Sequence, residues 1–141
     1  MNIALMANDR KKELMVQFCI AYCGILSKHQ VFATAATGKM VADVTGLKVY
    51  LFLSGKSGGA EQVASKVACD EIDLVLYFRD PALQQMSDAE QTLLRLCDMH
   101  NVPIATNIAT AEVLVCALDR GDLSWREVYH LPQQKDVTRL F

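Results

Sequence analysis

Ser54-Gly55-Lys56-Ser57-Gly58-Gly59-Ala60-Glu61-Gln62 sits between an apolar, β-prone run, Val49 to Leu53, and a helical run, Gln62 to Ala68. Together they read as a strand, a glycine-rich turn and a helix start. The glycines at 55, 58 and 59 carry no Cβ, so backbone N–H groups at the helix N-terminus can close on an anion such as phosphate. The order of residues is neither G-x-x-x-x-G-K-[ST] nor G-x-G-x-x-G. Taken alone, the turn equally fits a loop that only reverses the chain.

The same grammar repeats outward. Asn2 to Ala7 is a short apolar strand, and Asn8-Asp9 can cap a helix beginning near Arg10. That helix has Leu14, Met15, Phe18, Cys19 and Tyr22 on one face. Its first turn carries Arg10, Lys11 and Lys12, which oppose the helix dipole; they form either a solvated face or a draw for an anion at the strand end. Val31 to Ala33 is a second strand, and Thr34 to Gly38 turns into a helix from about Lys39 to Val44. Thr34 and Thr37 there fit a simple cap or a second anion contact. Ile72 to Phe78 is a fourth strand stopped by Arg79-Asp80-Pro81, followed by a loop from Ala82 to Ser87 and a helix from Ala89 to Met99. Pro103 to Ala105 is a fifth strand, and Asn107 to Thr110 leads to a helix from Ala111 to Leu118. Trp125 to Phe141 shows no firm period and is expected to pack across another surface or subunit.

Five strands alternating with helices predict an α/β fold, a three-layer, doubly wound, Rossmann-like parallel sheet. The polar turns at Asn8, Thr34, Ser54, Asp80 and Asn107 all follow strand ends, so they share the carboxyl edge where such sheets bind ligands. Separate weak signals become one phosphate site.

With 141 residues and 52% hydrophobic composition, residues 1–141 are expected to form one domain. A formal charge of −2 gives no reason to expect nucleic acid or an anionic membrane as partner. No apolar run reaches the roughly 18 residues that span a bilayer, and the first residues lack a basic, then apolar, leader pattern. A cytoplasmic protein is expected. Cys19, Cys23, Cys69, Cys97 and Cys116 read as reduced core thiols, and His29, His100 and His130 lie near element ends without a ligand pattern, so neither metal nor cofactor is expected.

The motifs, taken in order, resemble those of the methylglyoxal synthase family to about Tyr129. The family shows Ala-His-Asp-x-x-Lys, Thr-Gly-Thr-Thr-Gly, Ser-Gly-Pro-x-Gly-Gly-Asp-x-Gln, Asp-Pro with Pro-His-x-x-Asp, and Ala-Thr-Asn-x-x-Thr-Ala after successive strands. Matching them are Ala7 to Lys12, Thr34 to Gly38, Ser54 to Gln62, Asp80-Pro81 and Ala105 to Ala111. The resemblance implies strand order 3-2-1-4-5, a homohexamer, and a metal-free conversion of dihydroxyacetone phosphate to methylglyoxal and phosphate. A carboxylate starts that reaction by removing a carbon-bound proton.

It further implies phosphate contacts at Lys12, Thr34, Thr37, Ser54 and Gly55, with one hydroxyl lost at Ala36. Of the catalytic positions, Asp9 and Asp80 are retained. The family's aspartate base falls on Ala60 and its histidine on Asn8, while Gln85 to Glu90 replaces Pro-His-x-x-Asp with one residue deleted. The expectation is a member that binds phosphate or dihydroxyacetone phosphate with turnover weak or lost. The alternatives are an active synthase using a relocated carboxylate, Glu61 or Glu90, and a structural partner of a true synthase.

Overall fold

Alternation along the central strands sets the layers. In a computed structural model that describes residues 1–129, β1 (Asn2–Ala7) sends Ile3 and Leu5 to one face and Ala4 and Met6 to the other. β4 (Leu74–Phe78), buried throughout, does the same with Leu74, Leu76 and Phe78 against Val75 and Tyr77. These two strands pair at the centre of a parallel sheet with β2 (Gln30–Ala33), β3 (Val49–Leu51) and β5 (Ile104–Ala105), in the order β3-β2-β1-β4-β5. The expected strand order and fold class are both present.

Of the helices, α1 (Lys12–Ala21), α3 (Ala35–Thr45) and α6 (Ile108–Asp119) cover the Ile3 face with Met15, Phe18, Val41, Ala111 and Val115. α4 (Gly59–Ala68) and α5 (Asp88–Met99) cover the other with Val63, Val67, Leu93 and Cys97. A short α2 (Cys23–Leu26) continues α1, and α7 (Trp125–Tyr129) lies where the sequence shows no period. Arg126 ties α7 to the core: its buried guanidinium donates to Asp73 Oδ1 and to the Asn101 carbonyl. Its anchor is an ion pair, which periodicity cannot reveal. Residues 130–141, with His130, lie outside the described residues.

Several boundaries differ from the sequence reading. α3 begins at Ala35, directly after an extended Thr34, and Gly38 lies inside it. The glycine is there for close approach, since a Cβ at Gly38 would strike the Leu51 side chain of β3. β3 stops at Leu51 because the Leu53 N–H turns to Gln62 Oε1, 2.6 Å away on α4. Asn8 makes no cap bond; a 3-10 turn, Asp9–Lys11, precedes α1. The helix caps are Ser87 for α5 and Asn107 for α6. Only Cys19 and Cys97 are core thiols, which burial pushes up to about 12, while Cys69 is exposed.

Candidate functional site

The chain leaves β1 towards one face of the sheet and β4 towards the other, so their carboxyl ends part. That reversal is where open α/β sheets leave a crevice. Here it holds a cavity of about 830 Å³, walled by the strand ends and by the first turns of α4 and α5.

One end is built from backbone. Thr34 precedes α3, and Ser54 precedes a 3-10 turn, Gly55–Ser57, that passes through Gly58 at φ 102° into α4. Neither Thr34, Ser54 nor Gly58 supplies a side-chain cap, so two helix N-termini face the cavity without a side-chain acceptor. A Cβ at Gly59 would strike the Leu53 carbonyl and crowd the Thr34 methyl; glycine there lets the two turns touch. Thr34, Ser54, Gly55 and Lys12 all line the cavity, joined by Arg10 and Lys56.

Lys12 Nζ donates to the Ala7 carbonyl at 2.8 Å and to Asp9 Oδ1 at 3.0 Å, which holds its charge at the cavity wall. The Lys12 hydrogen bond and charge, helped by Lys56, hold the Asp9 carboxyl below the usual range. Thr37 is not on the wall; Ala36 is. The Thr37 hydroxyl is buried without a partner among the described residues.

The other end is built from side chains. The Ala60 methyl lies on the wall, nearly buried, at the position the motif alignment gives to the base. Asn8 Oδ1 accepts the Asp80 N–H at 2.7 Å, and its Nδ2 donates to the Tyr77 phenol oxygen at 3.1 Å. The Glu90 carboxylate is the charge that bears most on that phenol. Burial, then the Glu90 charge, push the Tyr77 hydroxyl up to about 12, so it stays a neutral donor.

Glu90 also faces Arg79 Nε at 3.6 Å, an ion pair beyond hydrogen-bond length. Asp80 Oδ1 accepts the Ala82 N–H at 2.9 Å, and Arg10 Nε stands 4.0 Å from its other oxygen. Glu61 lies on the wall beside Ala60 but is exposed at the rim, as its 100° offset on α4 requires. Asn107 follows β5 at the same edge, yet it does not line the cavity and its side chain caps α6.

The sequence reading therefore reached Asp9, Lys12, Thr34, Ser54, Gly55, Glu61, Asp80 and Glu90 on the wall. It missed Tyr77 and Lys56 as wall residues, while Arg10, read as a solvated face or a draw for an anion, lies on the wall. Tyr77 had one available signal, a phenol at the penultimate position of a strand whose carboxyl end carries the site. Together the arrangement can grip a dianion at one end and hydrogen-bond a polar body at the other. At Ala60 it offers no group to take a proton.

A family model for the MGS-like domain matches residues 15–106. The methylglyoxal synthase of Caldicellulosiruptor saccharolyticus is 56% identical over 137 residues, 96% of this chain and 97% of that protein. The methylglyoxal synthase of Oceanobacillus iheyensis is 47% identical over 139 residues, covering 98% and 99%. Among solved structures, the methylglyoxal synthase from Elizabethkingia anophelis NUHP1 superposes with a TM-score of 0.74 at 36% identity, covering 81% of this chain and 76% of that one.

Proposed function

Because this chain belongs to the methylglyoxal synthase family, we propose that its cavity binds phosphate or dihydroxyacetone phosphate, with turnover to methylglyoxal and phosphate weak or lost. The observation that carries this reading is the contrast within one wall. Lys12, Thr34, Ser54 and Gly55 stand where the phosphate is expected, while Ala60 stands where the base is expected. Two helix N-termini and a lysine favour a dianion electrostatically. A methyl group accepts no proton.

A relocated base is the second reading, because Glu61 does line the cavity. Glu90 suits it less: Arg79 already pairs with its carboxylate. The test measures methylglyoxal release from dihydroxyacetone phosphate and phosphate binding on one sample. Binding without release supports the proposal. Release at an ordinary enzyme rate, ~1 s⁻¹ or faster, overturns it, and loss of that release in Glu61→Gln would identify the relocated base.

A further inference from the structure

At about 830 Å³ the cavity lies towards the upper end of the roughly 300–1,000 Å³ typical of pockets for drug-sized ligands. A triose phosphate would leave much of it to water. The wall beyond the phosphate end has a definite chemistry. Its floor is the chain of hydrogen bonds from the Asp80 N–H through Asn8 to Tyr77, with Glu90 on the same wall. Asn8 uses one of its two amide hydrogens in that chain, which leaves the other for a ligand oxygen.

The rim is anionic. The ion pairs around the cavity are Arg10–Asp80, Lys12–Asp9 and Arg79–Glu90, which leaves Glu61 and Asp88 without a cationic partner among the described residues. Ionised carboxylates only accept hydrogen bonds, and they accept them strongly from hydroxyls. They repel a second carboxylate or phosphate.

We infer that the ligand this cavity fits is a phosphorylated sugar, a pentose or hexose monophosphate. Its phosphate sits at the Thr34, Ser54 and Lys12 end, and its hydroxyls lie against Asn8, Tyr77, Glu90, Glu61 and Asp88. The inference rests on the phosphate-binding reading and extends it to a larger phosphoester. Size favours a body larger than three carbons, and the rim carboxylates select hydroxyls and reject acids.

Calorimetry on the full chain tests this with inorganic phosphate, dihydroxyacetone phosphate, ribose 5-phosphate, glucose 6-phosphate and 3-phosphoglycerate. At least one sugar phosphate should bind about tenfold or more tightly than the triose phosphate, the worth of a single hydrogen bond to a charged group. 3-Phosphoglycerate should bind more weakly than either. Glu61→Gln, an exposed change that keeps size, should narrow the gap between sugar phosphate and phosphoglycerate. Tyr77→Phe should shrink the ratio of sugar-phosphate to inorganic-phosphate affinity. Triose phosphate binding as tightly as both sugar phosphates, or phosphoglycerate binding best, overturns the inference and leaves phosphate binding standing. Failure of inorganic phosphate and every phosphoester to bind overturns the underlying reading instead.

Discussion

The two ends of the cavity are made of different material. At the end proposed for the phosphate, the wall is made by two helix starts whose turns meet at Gly59, with Lys12 and Lys56 alongside. At the opposite end they are the side chains of Asn8, Ala60, Tyr77 and Glu90, each from a different element. The first kind is hard to lose, because removing it means refolding the turn. The second kind changes with one residue at a time and leaves the fold alone. On the proposed function, that difference would let anion binding persist where the chemistry is lost.

The largest effect should be on turnover. With Ala60 in place of a general base, proton abstraction loses a contribution worth about 10²- to 10⁴-fold. Ala60→Asp alone should restore little, because Asn8 and the Met86 to Glu90 segment also depart from the family pattern and such groups act as a unit. Methylglyoxal release from the single variant near a family-like rate would show that the side-chain end is one residue from working.

The next effect concerns the backbone end. Gly59→Ala forces a Cβ against the Leu53 carbonyl and should cost about 1–3 kcal/mol, the usual range for overpacking, together with phosphate affinity. Gly55→Ala, where a Cβ would meet nothing within 4 Å, should leave stability close to wild type. Urea unfolding of the two proteins checks the pair; equal midpoints would mean that the contact between the turns does not constrain the site.

Lys12→Ala should weaken phosphate binding by about 1 to 3 kcal/mol, the loss of a charge-assisted hydrogen bond at a partly exposed site. Calorimetry giving equal affinity would leave the helix N-termini as the whole grip.

The smallest effect lies at the opposite edge of the sheet and serves as a control. His29 accepts or shares a proton with the N-terminal ammonium 3.0 Å away, and burial, then that charge, lower its pKa from 6.5. The unfolded chain then binds the proton more readily than the folded one. This contribution to stability is present above pH 6.5 and is lost as the pH falls from there to the lowered folded value. Thermal unfolding against pH should show a slope that His29→Gln flattens. Since no histidine lines the cavity among the described residues, that variant should leave phosphate affinity unchanged.

Alternating apolar strands, amphipathic helices and polar turns after each strand were enough to specify the parallel sheet, its layers and the edge that carries the site. Those are local patterns, repeated with fixed periods, and they survive in a linear string. The glycine turn at Ser54 to Gly59 and the lysine after β1 were legible for the same reason: each motif lies within a few residues.

What no local pattern holds is the pairing of distant residues. Asn8 looks like a helix cap until β1 and β4 pair and set it between Tyr77 and the Asp80 N–H. Gly38 looks like a turn residue until α3 packs on β3, and α7 has no visible reason to form until Arg126 meets Asp73. Sequence alone determined the five strands, the helices between them and the sheet edge where the polar turns gather, because hydrophobic period and backbone freedom act over short range. Tertiary structure decided which side chains meet there, because hydrogen bonds and ion pairs across 53 to 72 residues of chain exist only once the sheet has assembled.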